Sequence, residues 1–532
     1  MVSEPLEAPL SGLRVDLTPV GAAGEVAAWL LVGLGVSVDV ASRRSAPSAV
    51  SPTPSPTTGS PHILWTRTES IPQPLPPAGR NRTDSRLTLS GARLRRSPIA
   101  LSDAGLPEGT LVYATGVALA AGAIAGLLSG ATVTVDEVAV AVEMRLPDVL
   151  AASYATSNPM RPARPRRAPG GGFYHADLGA PGASEDFERL VGTLPGDVTA
   201  REVASQAQLW RLAVCDYRAR KRPPEPARIP VRFDATPVAE PGKAAPAPGP
   251  TRPGGRLDFM VVDLTSMWAG PLATRLLGDL GATVTKVEPA FRPDGTRAVA
   301  GGGIYPGGVQ ALPGRDSAMW NALNRWKLHE DLDLREPAAV DRFVSLVRRA
   351  DVVIDSFSPR VLANLDLPGR VGPDTFWVSM PAFGPGGQRD WVAYGTGVHA
   401  QSGLGDTWPV PGNDNAAEGF YEPAVSYPDP LGGLTGALAV LAGLAARRIG
   451  RRATRAEVSL DEAIQPLCSV VDGVTSTGRR DCPGRSDGIS TSRCRSDEEG
   501  RKLLDVASKL GLTATWEVAG RALRHPAGPL RL

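Results

Sequence analysis

The chain has 532 residues, 42% of them apolar, and its 57 basic and 55 acidic side chains leave a formal net charge of only +2. That length exceeds one ordinary hydrophobic core and predicts two or three folding units. The balanced charge gives no electrostatic reason for a nucleic acid or an anionic membrane as partner, and four cysteines without paired ligand spacing (Cys215, Cys468, Cys482, Cys494) indicate neither a disulfide framework nor a zinc site.

In chain order, Met1 to Leu13 lacks a basic segment followed by an apolar core, so a secretory signal is not expected and a reducing cytoplasm is. Leu13 to Thr18 reads as a strand, followed by a helix and a second short strand at Val36-Ser37-Val38. Leu111 to Val135 is uncharged and long enough to span a bilayer. It is rich in Ala and Gly and ends in β-branched alternation, so a buried helix followed by a strand is the better reading. Pro-rich stretches at Ala46 to Pro77, Pro159 to Pro169 and Arg222 to Gly255 read as linkers or mobile loops, because such composition buries too little apolar surface to offset the entropy of ordering.

The C-terminal unit opens with an apolar strand, Met260 to Leu264, a turn at Ala269-Gly270-Pro271, a helix over Leu272 to Leu280 ending at Gly281, and a strand over Thr283 to Val287. A helix over Pro337 to Ala350, a strand at Val352 to Asp355, a short helix and a strand at Thr375 to Ser379 follow. Alternating strands and helices predict a doubly wound parallel sheet with its crevice at the strands' C-terminal ends. A faint repeat joins the two ends of the chain: Leu13 to Thr18 resembles Phe259 to Thr265, and Gly116 to Gly130 with Thr132 to Asp136 parallels Gly433 to Gly450 with Ala456 to Asp461. The predicted units are 1–158, 159–256 as middle segment and linker, 257–471, and a divergent or disordered tail over 472–532.

The motifs in the C-terminal unit resemble class III (CaiB/BaiF-type) CoA-transferases. They are Val262 to Thr274, Leu277 to Ala282, Lys286 to Pro289, Asp294 to Arg297, Asn324 to Lys327, Asp331 to Leu334, Ala350 to Pro359, Phe383 to Gly387, Asp429 to Ala437 and Ala456 to Leu460, in family order over about residues 257 to 465. The N-terminal unit looks like a degenerate copy. The resemblance implies an α/β fold, a Rossmann-like doubly wound sheet with a smaller α/β domain, here partly duplicated. It also implies an interlocked homodimer, which two halves of one chain would imitate as an intrachain pseudo-dimer.

A CoA thioester needs cations, backbone donors and an apolar wall. Arg297 and Lys327 are the basic candidates for its phosphates. Met267, Trp268 and Ala269 lie on the turn after the first strand, where this fold places ligands, and Phe357 resembles the family's aromatic beside the adenine. Each also has an ordinary reading, as a solvated cation or as packing beneath a loop. The resemblance implies a nucleophilic aspartate that forms a mixed anhydride with the acyl group, with backbone donors near residues 395 to 397 stabilising the oxyanion. At that place, in Tyr394-Gly395-Thr396-Gly397-Val398-His399, stands Gly395. The nearest alternatives are Asp406, Asp414, Glu418 and Glu422, with His399 as a proton carrier or else a buried structural histidine. Ser356-Phe357-Ser358-Pro359-Arg360 stands where the family has Asn-Phe-Arg-Pro-Gly, which removes a polar contact and a cation.

Three functions follow. The first is an acyl-CoA:carboxylate CoA-transferase, with an acyl-CoA and a carboxylic acid as partners, no permanently bound cofactor and no metal, or a family racemase or isomerase acting on acyl-CoA. The second is a non-catalytic CoA-binding member, which Gly395 favours. The third, a NAD-type oxidoreductase, lacks the G-x-G-x-x-G turn.

Overall fold

The computed structural model describes residues 9–40, 92–153, 165–218, 229–235, 256–297, 317–358, 375–405, 423–475 and 488–531, less short gaps within those spans. Asp406, Asp414, Glu418 and Glu422, the stretch from Ala46 to Pro77 and the short helix expected before Thr375 lie outside the described residues.

The first half contains β1 (Arg14–Leu17), α1 (Ala22–Gly33) and β2 (Ser37–Val40), with β1 and β2 paired in parallel. Next come β3 (Arg93–Arg95), the long α2 (Thr110–Ser129), β4 (Thr134–Asp136) in parallel with β3, α3 (Glu137–Met144) and α4 (Leu146–Ser153). Residues 165–218 then fold on their own small core around Phe187, Leu190, Val203 and Val214. Here β5 (Arg166–Arg167), β6 (Phe173–Asp177) and β7 (Ala213–Asp216) form an antiparallel sheet, joined by α5 (Ala183–Val191) and α6 (Ala200–Leu209). The α6 helix starts at a capping box, with Thr199 and Glu202 satisfying each other's backbone N–H.

The second half runs through β8 (Arg232–Ala235), β9 (Met260–Leu264), α7 (Ala269–Asp279), β10 (Thr283–Glu288), α8 (Ala318–Asn324), β11 (Leu328–Asp331), α9 (Pro337–Val347), β12 (Val352–Asp355) and β13 (Phe376–Ser379). It continues with α10 (Gly395–Ser402), α11 (Pro428–Arg448), β14 (Ala453–Glu457) and α12 (Leu460–Thr475), and the tail adds α13 (Gly488–Lys509), β15 (Thr513–Val518), β16 (Arg521–Pro526) and β17 (Leu530–Arg531). The sheet order is β11-β10-β9-β12-β13-β14-β8. Counted from β9, its parallel strands take the order 3-2-1-4-5-6, the doubly wound arrangement whose switch point lies between β9 and β12. Both strands are apolar runs buried along nearly their whole length, as strands covered on two faces must be.

Two readings of the sequence are corrected here. The stretch from Arg222 to Gly255 is not all linker, because β8 rises from it and pairs antiparallel with β14; Pro230 stands just before this edge strand, where its missing N–H costs nothing. The described part of the tail is folded. Leu503, Leu504 and Ala507 of α13 are buried and the helix packs on α3 and α4, while β17 pairs antiparallel with β4. That apolar stripe is one turn long at the end of a charged segment, too short to show as periodicity.

The uncharged stretch from Leu111 is the buried helix α2. Among the described residues it and α11 are the two helices long and apolar enough to cross a membrane, and 94% and 100% of their apolar windows lie inside the protein. α1 packs on α2, α2 on α11, and α11 on α7. Corresponding glycines allow the close approaches: a Cβ on Gly116 would stand 2.9 Å from the Ala23 carbonyl at the start of α1, and one on Gly433 2.8 Å from the Ala269 carbonyl at the start of α7. The tail reaches back to the first half through β17, which pairs with β4, while β8 completes the edge of the second half's own sheet at β14. Arg232 of β8 pairs with Glu457 and Glu462, which fixes that edge strand.

Glu143 on α3 pairs with Arg275 on α7, both buried, and Asp279 lies 3.8 Å from the same guanidinium. Burial pushes the Glu143 carboxyl up and Arg275 pulls it back. Removing one partner of a buried pair strands the other charge, at a cost of about 3–5 kcal/mol. Glu143→Ala is therefore expected to lose about 3 kcal/mol, the lower end because Asp279 remains, in one cooperative denaturant transition monitored by circular dichroism. Two separable transitions, or a loss within error, would show that the halves are not coupled here.

Candidate active site at the sheet switch point

The turn between β9 and α7 is organised from below by buried charge. Asp263 accepts from Lys327 Nζ at 2.8 Å and Thr274 Oγ1 at 2.7 Å, while Lys286 donates to the Thr265 carbonyl at 2.7 Å and pairs with Asp294 at 2.9 Å. Asp294 in turn accepts the Met267 N–H at 3.1 Å and the Thr296 N–H at 2.9 Å. Burial alone would raise the Asp263 carboxyl, but Lys327 and Lys286 outweigh it and hold it well below the usual range. Burial lowers Lys327 to about 8, against the opposing pull of Asp263.

This network assigns new roles to the predicted cations. The three N–H groups of Lys327 go to Asp263, the Pro271 carbonyl at 3.0 Å and Asn324 Oδ1 at 2.8 Å, which exhausts an ammonium. Lys327 holds the turn from beneath; it does not face a phosphate. Arg297 pairs with Glu288 and stacks 3.9 Å over the Trp320 ring. Met267 adopts φ 73°, a left-handed conformation costly for a side-chain-bearing residue, and is held there by Asp294. Trp268 is fully buried and its indole N–H finds no acceptor among the described residues, whereas Ala269 begins α7. Across the switch point, the Ser266 N–H donates to Ser356 Oγ at 3.1 Å, joining the two loops, and half-buried Phe357 is oriented by its N–H to Asp355 at 2.9 Å. The turn carrying Met267 and Ala269 and the loop carrying Phe357 thus meet at the switch point through Ser266 and Ser356, while Trp268 packs in the core beneath.

Gly395 is the first residue of α10. A Cβ there would stand 2.6 Å from Asp429 Oδ2 and would also meet Ser426 Oγ. A carboxyl therefore occupies the direction in which a side chain at 395 would emerge, and it comes from the first turn of α11. Asp429 accepts from Ser426 Oγ at 2.6 Å and from the Gly395 N–H. Burial raises it to about 7, with Ser426 and Gly395 opposing and Asp177 of β6 adding to the rise. The Gly395 N–H is thus spent on Asp429 instead of standing open to an oxyanion. His399, one turn further along α10, is fully buried with Nδ1 2.8 Å from the Tyr427 hydroxyl, which places it in the core behind the site.

The unit over residues 165–218 grips the segment leading to Gly395, a role that the sequence did not reveal. Gln208 donates to the Val392 carbonyl at 2.8 Å and accepts the Val392 N–H at 2.7 Å. On α10, Gln401 donates to Asp216 at 2.9 Å and accepts from Arg218, and Gly397 leaves room for Cys215. The readable signal was the capping box at Thr199, which marks a structured segment where the composition reads as linker. Among the described residues no three His, Cys, Asp or Glu side chains come together as a metal site.

A doubly wound parallel sheet flanked by helices defines a Rossmann-like α/β fold. Residues 257–491 match the model of CoA-transferase family III. A probable CoA-transferase of Mycobacterium tuberculosis is 31% identical over 272 residues, which is 49% of this chain and 32% of the relative. The acetyl-CoA:oxalate CoA-transferase of Acetobacter aceti is 33% identical over 161 residues, covering 29% of this chain and 39% of that one. A CaiB/BaiF family protein from Brucella suis superposes with a TM-score of 0.35 at 24% identity, over 42% of this chain and 59% of that one. The chain spans between 32% and 49% of the length of the curated relatives it matches.

The raised carboxyls fix a sign for the pH dependence. Asp429 near 7, and Asp355 and Asp461 near 6, all raised chiefly by burial, hold protons in the folded state that the unfolded chain has already released. Their contribution to stability therefore falls as pH rises from about 4 to about 7. Asp429→Asn, read by thermal melts across that range, is expected to gain stability relative to the parent as pH rises. A difference independent of pH would mean that Asp429 is ionised throughout.

Proposed function

We propose that this protein binds an acyl-CoA at the β9/β12 switch point and acts as an acyl-CoA:carboxylate CoA-transferase, with Asp429 supplying the carboxylate that position 395 lacks. The observation that carries this reading is the 2.6 Å between Asp429 Oδ2 and the place of a Cβ on residue 395. In the transfer, ionised Asp429 would attack the thioester carbonyl and release CoA thiolate, leaving a mixed anhydride. The thiolate would attack the aspartyl carbonyl of that anhydride and expel the donor carboxylate, giving an enzyme-bound CoA thioester. The acceptor carboxylate would displace the thiolate from it to form a second anhydride, and attack of the thiolate on the acceptor carbonyl would release the new acyl-CoA and the Asp429 carboxylate. The turn at Ser266 to Ala269 would hold the carrier, Phe357 would flank its adenine, and Tyr394 would line the acyl end. A second reading, proton transfer at the carbon next to the thioester, is favoured by the near-neutral Asp429, since a group titrating close to working pH both takes and gives a proton.

The pairing of β17 with β4 and the packing of α2 on α11 support an intrachain pseudo-dimer, in which residues 165–218 serve the second half's site. A cytoplasmic location is part of the same proposal.

Incubation of the full chain with an acyl-CoA and a labelled free acid tests the first reading, and the same incubation in deuterium oxide tests the second. CoA exchange is expected to fall at least a hundredfold in Asp429→Asn while CoA affinity changes little. Unchanged turnover in that variant would remove Asp429 from the chemistry, and binding without either reaction would leave a non-catalytic carrier protein. Gly395→Ala is expected to cost about 1–3 kcal/mol in denaturant unfolding, because its Cβ must displace a hydrogen-bonded carboxyl; a neutral effect would show that Asp429 moves freely.

A further inference from the structure

Arg211 lies in the turn between α6 and β7, outside the family's segment, and its side chain crosses to the second half. Its Nη1 donates to the Asp390 carbonyl at 2.7 Å and its Nη2 to Ser358 Oγ at 3.3 Å. Both acceptors are neutral, and among the described residues this exposed guanidinium has no carboxylate partner. Other arginines around the site are compensated: Arg297 pairs with Glu288, Arg389 with Glu457 and Arg218 with Asp216. Ser358 follows β12, so the uncompensated cation stands at the C-terminal end of a switch-point strand, where doubly wound sheets hold their ligands. The backbone of Arg211 is left-handed, with φ 59°, a conformation that side-chain-bearing residues seldom adopt. The preceding Trp210 is 46% exposed, which puts a broad apolar face next to the charge.

We propose that Arg211 is a phosphate ligand of the bound nucleotide, delivered to the second half's crevice by the 165–218 unit. Two neutral anchors aim the fork and leave its remaining N–H groups for anionic oxygens, the bidentate geometry that suits a phosphate. The proposal rests on the acyl-CoA reading and assigns to it a residue outside the matched domain. It also gives the middle unit a second task besides holding Val392, that of supplying charge.

The test is calorimetric binding of CoA, and of pantetheine as a probe without nucleotide phosphates, to the full chain and to Arg211→Gln, Arg211→Gly and Arg211→Gln/Ser358→Arg. Arg211→Gln is expected to weaken CoA about tenfold, to leave pantetheine unchanged and to reduce the salt dependence of CoA affinity. Ser358→Arg returns a guanidinium to the same spot and is expected to recover most of the loss. Arg211→Gly relieves the backbone, so melting near the parent temperature with the same tenfold loss separates binding from folding. Parental CoA affinity in Arg211→Gln, or equal losses for CoA and pantetheine, would overturn this assignment while leaving the acyl-CoA reading standing. No CoA binding by the parent chain would overturn both.

Discussion

A helix that is apolar on every side has no face to give to water, and the described residues contain two. α2 and α11 can be stable only if neighbours cover them all round. The solution is the run of contacts from α1 through α2 and α11 to α7. Each long helix is covered by elements of its own half and, on a further side, by the long helix of the other, so the two central helices complete each other's burial. Arg448, in the last turn of α11, donates to the Leu128 carbonyl near the end of α2, a cation placed where a helix leaves carbonyls unpaired.

The site inherits its geometry from this arrangement. Because α11 is fixed against α7 from one side and α2 from the other, its first turn lies where Asp429 meets the N-terminus of α10. The loop before α10 is held independently by Gln208, whose two hydrogen bonds to Val392 constrain both the position and the direction of the backbone. The buried pairs Asp263–Lys327 and Lys286–Asp294 are costly to desolvate. They fix the turn at Met267 in a conformation that the turn would not choose by itself.

Much of the second half was legible because its signals are local. Met260 to Leu264 and Val352 to Asp355 are short apolar runs, and both match the observed strands to the residue. The repeat was visible at the paired Ala/Gly helices, and Gly116 and Gly433 supply its physical reason. What failed to show was either short or long-range. Strand β8 is four residues within a proline-rich stretch, and the core over residues 165–218 joins strands separated by two helices. Lys327 reads in sequence as a cation for a phosphate, because nothing local announces that Asp263 lies opposite. Asp429 was visible as part of a motif, but its meaning depends on a contact with Gly395 that no local pattern encodes.

The setting of the Asp429 carboxyl beside Gly395 bears on the chemistry that the proposed site would favour. An aspartate projecting from the start of a helix toward a crevice is stabilised as an anion by the helix dipole and open backbone donors. Asp429 has a share of that help, from the Gly395 N–H and from its own place in the first turn of α11, but burial outweighs it and leaves the group near neutrality. Only the ionised fraction is nucleophilic, while both forms serve proton transfer. The space beside Gly395 is therefore filled by a carboxyl in a dry setting. Under the proposed acyl-CoA chemistry, the balance between attack on a thioester and removal of the adjacent proton would be set by how far substrate binding re-solvates or further desolvates that one group.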